Sequence, residues 1–195
     1  MLDQCFSTYI YSANVDADKL APIQDELLAI SQHLKDTNIF KKRWTQDTHS
    51  LSDPSFSSND IAKYGLRNFE IELDNHVTAY LDALSYTGPR KYKIKSAWFT
   101  LNKTNEHSRL HTHGNVDLSG VYYIQTNGHD GDLFFHTPAL ALGASMIMAH
   151  LHDTLYAKPE VGKIIMFPGT ILHGVSGNDT KDDRISISFN LEFIR

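Results

Sequence analysis

The sequence has too few cysteines to form a disulfide within the chain and has no long apolar run of the kind that spans a membrane. Cys5 is the single cysteine among 195 residues, so no disulfide can form within the chain. A reducing compartment, the cytoplasm, is therefore the simplest expectation. No stretch reaches about 18 consecutive apolar residues, which predicts no membrane span. The first residues also lack a basic segment followed by a long apolar one, so no signal peptide is expected.

Positive charge is also scarce. The chain has 18 Lys and Arg against 23 Asp and Glu, a net charge of −5, whereas a general nucleic-acid binder presents a basic face. A nucleic-acid partner is therefore disfavoured, with one local basic group around Lys91, Lys93 and Lys95. Histidine, by contrast, is abundant, with 11 residues. Because histidine is the commonest metal ligand, its concentration after residue 107 indicates a metal site.

The first part of the chain has helical patterns separated by a long polar segment. A helix is predicted from Asp16 or Asp18 to about Leu34, and a second one over residues 67–85. Residues 42–58 are rich in polar and turn-forming types and are predicted to be a loop. A loop of this length often lines or covers a site, so we regard it as a candidate lid. Its candidate lid residues are Trp44, Thr48 and His49.

Strand patterns follow, short and rich in β-branched and aromatic residues. They are predicted over residues 92–101, 118–125, 131–136, 163–167, 171–175 and 184–194, with a further candidate at 6–11. Asn127-Gly128 and Asp130-Gly131 predict a hairpin turn. Several short strands at close spacing are typical of an antiparallel sandwich or barrel.

The last predicted strand alternates most clearly. Apolar side chains from Ile185 to Phe193 fall on one face, and polar ones from Arg184 to Glu192 fall on the other. The polar face is either the solvated side of an edge strand or the lining of a cavity. Alternation alone does not separate these two interpretations.

Two histidine pairs have a spacing that suits a metal. His111 and His113 lie two residues apart, so on an extended segment both rings can reach one ion. His150 and His152 form a rival pair. The first pair is followed at once by the apolar strand LSGVYYI, and this context favours it over the second.

A third histidine and an arginine add to this pattern. His173 lies within an apolar strand and needs a partner if it is buried: a metal, or a backbone carbonyl. Arg184 and Ser186 share one strand face, and the planar fork of arginine suits a carboxylate. The alternative for Arg184 is a surface ion pair with Asp182 or Asp183.

These segments together resemble the iron(II)/2-oxoglutarate-dependent oxygenases. HTHGNVDLSGVYYI (111–124), KIIMFPGTILHGV (163–175) and DRISISFN (183–190) are similar to the motifs of one little-characterised family of these enzymes. The resemblance covers about 95 residues strongly, from Ser96 to Asn190. It extends loosely to THSLSDPSF (48–56) and to the helix at 67–85.

The resemblance implies a fold and a set of roles. The fold would be mostly β with N-terminal helices: a double-stranded β-helix (jelly-roll, cupin-like) barrel backed by helices. One domain would span residues 1–195, with helical support and loop in 1–90 and the jelly-roll core in 91–195. His111 and His173 would ligate iron(II). Arg184 and Ser186 would bind the distal carboxylate of 2-oxoglutarate, assisted by Tyr123.

One position departs from the wider superfamily, whose iron site holds two histidines and one carboxylate. His113 stands where the carboxylate is expected. Three arrangements stay open: His113 is itself a ligand, Asp117 supplies the carboxylate, or His113 and Asn115 form the motif without any carboxylate. We favour the first, which gives the metal ligands His111, His113 and His173.

The expected function is that of a hydroxylase-type oxygenase with Fe(II) and 2-oxoglutarate, acting on an unknown small molecule or protein side chain. The alternatives are a three-histidine cupin-type dioxygenase that does not use 2-oxoglutarate, and a non-catalytic jelly-roll binding module. Trp98, Asn102 and Asn190 are candidate residues of the substrate pocket. Because exposed jelly-roll edges can pair, a homodimer is also considered.

Overall fold

The structure, a computed structural model, describes residues 8–43, 48–138 and 154–194. Within these ranges the helices are α1 (Ala17–Asp36), α2 (Asp60–Tyr64) and α3 (Arg67–Ala83). The strands are β1 (Tyr11–Asn14), β2 (Lys41–Lys42), β3 (Ser50–Leu51), β4 (Tyr92–Asn102), β5 (Ser108–His111), β6 (Leu118–Gln125), β7 (Leu133–His136), β8 (Thr154–Ala157), β9 (Lys163–Pro168), β10 (His173–Val175) and β11 (Arg184–Phe193).

The strands form two antiparallel sheets. The larger has the order β1-β9-β6-β11-β4-β3-β2, and the smaller has the order β5-β10-β7-β8. β11 lies between β4 and β6, the two strands with which it pairs along almost its whole length. It is therefore a central strand, and this fits the cavity-lining interpretation of its polar face better than the solvated edge.

The main apolar core lies between the larger sheet and the helices. Leu27 of α1 and Leu73 of α3 are fully buried there against sheet residues that include Tyr122 and Phe189. The Phe69 ring meets the Tyr122 ring edge-on at 5.2 Å. Because each buried side chain of this size contributes about 1.5–3 kcal/mol, this core holds the helices on the outer face of the sheet.

A carboxylate joins the two long helices at the start of α3. Glu26 of α1 accepts hydrogen bonds from the backbone N–H groups of Asn68 at 3.2 Å and Phe69 at 3.0 Å. The first turn of a helix has unpaired N–H groups and a positive dipole end, so a carboxylate from another helix both caps it and fixes its position. A residue outside α3 thus performs the role of an N-terminal cap.

The structure differs from the sequence-based expectations in the N-terminal half. Residues 1–90 supply β1, β2 and β3 to the larger sheet in addition to helices, and the predicted loop at 42–58 contains β3. The segment is extended there because Ser50 and Leu51 pair with Leu101 and Thr100 of β4. Two residues are too few for an alternation pattern, which is why the sequence predicted only loop.

The predicted hairpin at 127–131 is wrong. Gly128 and Gly131 do adopt positive φ angles of 80° and 106°, as turn residues do. However, β6 belongs to the larger sheet and β7 to the smaller one, so the chain passes from one sheet to the other at this turn. No helix in the described part of the chain is long and apolar enough to span a membrane.

Candidate metal and co-substrate site

Three histidine rings from two separate segments converge at one end of the space between the sheets. One ring nitrogen from each of His111, His113 and His173 lies within 4.8 Å of the other two. His111 ends β5 and pairs directly with His173, which begins β10. His113 follows in the connection to β6, where its backbone N–H donates to the Gly169 carbonyl at 2.8 Å.

Backbone carbonyls fix two of these rings. The Nδ1 atom of His173 lies 2.9 Å from the Ile171 carbonyl, and that of His111 lies 2.6 Å from the Arg109 carbonyl. A carbonyl can only accept, so each Nδ1 carries the proton and each Nε2 keeps its lone pair. Metal-binding histidines are commonly oriented by such a bond through the second nitrogen.

The third ring is held from the larger sheet. The Asn190 side chain interacts with the His113 ring and raises its pKa. The Asn190 amide oxygen accepts from Ser119 Oγ at 2.7 Å, and the Asn190 amide donates to Ser96 Oγ at 3.1 Å. The Trp98 ring stacks on His113 at 5.8 Å between centroids. His113 is thus held from two sides.

Burial keeps these rings neutral. Burial, reinforced by the neighbouring His111, lowers the pKa of His113 to about 3 and that of His173 to about 2. Burial also lowers the pKa of His111. Near neutral pH the three lone pairs are therefore free of protons, and a converging set of neutral imidazoles fits a transition metal such as iron(II).

Asp117 and Asn115, the alternatives to His113 considered from the sequence, are not in this cluster. Asp117 is exposed, and its carboxylate accepts the backbone N–H of Phe193 at 2.7 Å. Asn115 is also exposed, and its backbone carbonyl accepts from Lys95. The rival pair His150 and His152 lies outside the described residues, as does the lid candidate Trp44. In the described part of the chain, no carboxylate lines the cavity beside the histidines.

A buried guanidinium lies at the opposite end of the cavity. Arg184 is 2% exposed, and its Nη1 and Nη2 donate to the Gly131 carbonyl at 2.7 Å and to Asn102 Oδ1 at 2.8 Å. Its Nε has no partner among the described residues, and no carboxylate lies within ion-pair distance there. The expected alternative of a surface pair is wrong, because Asp183 pairs with Lys35 and Asp182 with Asn127.

Strand pairing places the other co-substrate candidates beside Arg184. Ser186 of β11 lies opposite Tyr123 of β6 on one side and Thr100 of β4 on the other. All three line the cavity. Burial raises the pKa of the Tyr123 hydroxyl to about 12, so it remains a proton donor at any physiological pH. Hydroxyls and a guanidinium together form a donor-rich wall that suits a carboxylate.

The substrate-pocket candidates separate into three positions. Trp98 lines the cavity next to His113. Asn102 also lines it, but at the Arg184 end, away from the histidines along β4. Asn190 is not part of the lining and instead holds His113 from behind. Of the three, Trp98 alone lies where a substrate near the metal would pass.

The segment before α2 forms a wall of the cavity instead of an open loop. His49 is buried, with its Nδ1 near the His107 carbonyl at 3.2 Å, and it lines the cavity. Phe56, which the sequence did not indicate as a site residue, packs edge-on against Trp98 at 4.5 Å and also lines it. Thr48 is fully buried and bridges to His107.

One cavity connects the three histidines with Arg184. It has an empty volume of about 670 Å³, including its open mouth. The lining runs from the three histidines past Tyr123 and Ser186 to Arg184. A molecule that places one end on a metal and a carboxylate at the other end is the ligand this arrangement fits.

Comparison with known proteins gives the same assignment. Residues 96–190 match the model of a family described as "Putative 2OG-Fe(II) oxygenase". No curated protein matches the sequence. The fold is similar to that of a Pseudomonas putida prolyl-4-hydroxylase, at 14% identity and a TM-score of 0.66, over 97% of this chain and 95% of that one.

Two further solved structures share the fold. One is the epimerase SnoN in complex with Fe³⁺, alpha ketoglutarate and nogalamycin RO, at 13% identity and a TM-score of 0.67, over 95% of this chain and 79% of that one. The other is a prolyl hydroxylase from Trichoplax adhaerens, solved with a peptide fragment of the hypoxia inducible factor oxygen degradation domain. It matches at 9% identity and a TM-score of 0.64, over 94% of this chain and 83% of that one.

These matches confirm the main sequence-based predictions. The solved structures confirm the double-stranded β-helix fold. The family match confirms the resemblance that the motifs carried, and with it the class of enzyme and its pair of cofactors: a 2-oxoglutarate-dependent oxygenase with iron. The roles of individual residues and the substrate stay predictions.

Proposed function

We propose that this chain, a 2OG-Fe(II) oxygenase by the match over residues 96–190, is a hydroxylase with a three-histidine iron site. His111, His113 and His173 would hold Fe(II). Arg184 would bind the distal carboxylate of 2-oxoglutarate, and Ser186 and Tyr123 would donate hydrogen bonds to the same molecule. When bound, iron and 2-oxoglutarate supply oxidative decarboxylation to succinate and CO₂ coupled to oxidation of a substrate.

The observation that carries this proposal is the buried, unpaired charge of Arg184. A guanidinium out of contact with water costs several kcal/mol unless an anion compensates it. Arg184 has no carboxylate within ion-pair distance in the described residues, and its Nε has no acceptor. Because the side chain lines the cavity, a carboxylate ligand would supply both the missing charge and the missing acceptor.

The histidines would position the metal ion, and the cavity wall beside them would shield it from water. Hydrogen bonds from Nδ1 to backbone carbonyls orient the rings of His111 and His173, and contacts with Asn190 and Trp98 hold the ring of His113. The apolar surface of Phe167, beside His173, and of Trp98, beside His113, excludes water from that point. Exclusion of water strengthens the electrostatic interactions of the site and protects a reactive centre from side reactions.

The three-histidine set also supports a second candidate, a cupin-type dioxygenase that does not use 2-oxoglutarate. Three neutral ligands leave the full charge of a divalent ion, whereas the usual carboxylate would cancel part of it. Arg184 argues against this candidate, because an enzyme without a dicarboxylate co-substrate has no use for a buried cation in the same cavity.

The cavity defines the substrate less closely than it defines the co-substrate. We propose a small molecule or a protein side chain, since the cavity is lined largely by apolar and aromatic residues near the histidines. The net charge of −5 disfavours nucleic acid. We also propose a cytoplasmic location, which the single cysteine favours, and a homodimer.

Turnover tests the proposal directly. Protein purified without metal and supplied with Fe(II), ascorbate and 2-oxoglutarate should form succinate, slowly in the absence of substrate. Oxygen uptake that needs iron but not 2-oxoglutarate would select the cupin-type alternative. Failure to retain any transition metal would favour the non-catalytic binding module.

A binding experiment separates the roles of the two ends of the cavity. Arg184→Ala should abolish detectable 2-oxoglutarate binding to the Mn(II)-loaded protein while Mn(II) affinity changes little. Arg90→Ala, which removes an exposed arginine paired with Asp82, is the matched control and should leave both unchanged. Equal loss of metal and 2-oxoglutarate in Arg184→Ala would show a structural role for Arg184 instead.

A further inference from the structure

Asn102 is held in one orientation by Arg184. It ends β4 directly opposite Arg184 of β11, and its Oδ1 accepts from Arg184 Nη2 at 2.8 Å. Arginine has donors but no acceptor, so the oxygen of the amide must face it. The Nδ2 group is therefore the end of the amide that Arg184 cannot use.

That Nδ2 group has no acceptor among the described residues. Asn102 is 1% exposed, and its Nδ2 is buried without a hydrogen bond. Arg184 Nε, on the side chain that the same amide contacts, is in the same condition. Leaving a buried donor unpaired costs about 1–3 kcal/mol, so two on contacting side chains indicate an acceptor that binds there.

Other contacts keep this pair rigid. The Asn102 backbone carbonyl accepts from Asn178 Nδ2 at 3.2 Å, and that amide also donates to the Asp182 carbonyl at 2.8 Å. Arg184 Nη1 is fixed to the Gly131 carbonyl. With their other groups bound, Asn102 and Arg184 cannot easily turn away to find other partners, and donors fixed in this way bind an anion without a cost of reorganisation.

We propose that Asn102 is a specificity-determining residue for the co-substrate, donating through Nδ2 to the carboxylate that Arg184 binds. This rests on the proposed function, in which that carboxylate is the distal one of 2-oxoglutarate. The pair then selects 2-oxo acids that have a second carboxylate over those that end in a methyl group. An acceptor at the position of Nδ2 would repel the same ligand.

Replacement of one atom tests this inference. Asn102→Asp keeps the oxygen that accepts from Arg184 but exchanges the Nδ2 donor for a negatively charged acceptor. Asn102→Ala removes both. Asn105→Asp, an exposed turn residue three positions along the chain, is the matched control for the added charge. Calorimetry on the full Mn(II)-loaded chain would compare 2-oxoglutarate with 2-oxopentanoate, which has a methyl group in place of the distal carboxylate.

We expect Asn102→Ala to bind 2-oxoglutarate about tenfold more weakly, the effect of one lost buried hydrogen bond. Asn102→Asp should lose about a hundredfold or more, because a charge-assisted bond becomes a repulsion. The affinity for 2-oxopentanoate should stay at the wild-type value in both variants. Asn105→Asp should bind both ligands like the wild type.

Each result has a definite meaning. Wild-type affinity for 2-oxoglutarate in Asn102→Asp would overturn the inference, as would equal weakening of both ligands. If Asn102→Asp no longer binds Mn(II), Asn102→Ala decides by the same comparison. A wild-type protein that binds metal but neither 2-oxo acid would refute the proposed function itself, which is a different outcome from a wild type that binds 2-oxoglutarate through other residues.

Discussion

The Nε2 atoms of His113 and His173 lie 3.2 Å apart, from residues 60 positions apart in the chain. The Nδ1 atom of His173 is hydrogen-bonded to the Ile171 carbonyl, and the Asn190 side chain interacts with the His113 ring. At this distance one ring nitrogen can donate to the other, and both nitrogens are also close enough to bind one cation. The relationship is therefore that of two ligands prepared for one metal ion, with His111 as the third.

A substitution at His113 tests whether this ring is a ligand. His113→Ala should weaken metal binding by at least about a hundredfold, more than the loss of an outer partner of a ligand causes. His113→Asp should retain binding, since a carboxylate at this position completes the usual two-histidine, one-carboxylate set. Titration with Co(II), followed by visible absorption, measures both the affinity and the change of ligand type.

The exposed His129 provides the control, and His129→Ala should bind Co(II) like the wild type. Unchanged Co(II) affinity in His113→Ala would remove His113 from the ligand set. Identical Co(II) spectra of His113→Asp and the wild type would also show that His113 is not a ligand. The site would then be a pair of histidines completed by water.

The buried histidines also predict how the metal-free protein responds to acid. Burial lowers the pKa of His49 to about 4, that of His113 to about 3 and that of His173 to about 2, against an ordinary value of 6.5. Below about pH 6.5 the unfolded chain takes up protons that the folded protein does not. The contribution of these rings to the free energy of unfolding should therefore be complete above about pH 7 and fall below pH 6.5, by up to about 1.4 kcal/mol per pH unit for each ring.

Urea unfolding in the presence of a chelator, at several values between pH 7.5 and pH 5, measures this slope. His49→Gln should make the slope shallower by about one ring's share, because its unfolded form no longer titrates there. A stability that does not change between pH 7 and pH 5.5 would show that these rings are not buried in the neutral state. Added Zn(II) should raise the stability of the wild type at every pH in this range, because His113 and His173 of the folded protein stay unprotonated throughout it.

How much the sequence predicted depended on the length of each pattern. The ten residues of β11 alternate long enough to show that Arg184 and Ser186 share a face, and the structure puts that face in the cavity. The order of the motifs identified His111, His113 and His173, which the structure brings together. These predictions needed only the alternation of side chains within one strand and the order of three motifs along the chain.

The rest required contacts that no local pattern contains. Asn190 has the same parity as Arg184, so the sequence placed it in the pocket, whereas the hydrogen bonds to Ser96 and Ser119 place it behind His113. Phe56 lies in a segment with no periodicity, and its position depends on Asp53 and on Trp98, which is 42 residues away. The loose similarity of THSLSDPSF to the family was the one signal for it.

Asn190 is expected to act on the metal through His113. Its side chain interacts with the ring, and Ser96 and Ser119 fix the amide. Asn190→Ala should lower Co(II) affinity about 10- to 100-fold, as the loss of such outer partners typically does. Ser188→Ala, on the same face of β11 but closer to Ser186, is the matched control and should retain the affinity. Equal affinities in both variants would show that Trp98 alone is sufficient to orient the ring.

Phe56 should lose its position when Asp53 is replaced. The Asp53 carboxylate accepts the backbone N–H groups of Ser55, Ser57 and Ser58 at 2.9, 2.8 and 2.6 Å. This holds Phe56 at a φ of 57°, a conformation that costs a residue other than glycine about 1–2 kcal/mol. Asp53→Ala should let the turn relax and move the ring off Trp98, and should lower the free energy of unfolding by about 1 kcal/mol, because the loss of three hydrogen bonds outweighs the released strain.

Acrylamide quenching of Trp98 fluorescence detects this movement, in a Trp44→Phe background that leaves Trp98 as the one tryptophan. Quenching should increase in both Asp53→Ala and Phe56→Ala, because the ring that covers Trp98 is displaced or missing. Asp36→Ala, which removes an exposed carboxylate at the end of α1, controls for the lost charge. Quenching at the wild-type level in Asp53→Ala would show that packing against Trp98, and not the turn, holds Phe56 in the cavity wall.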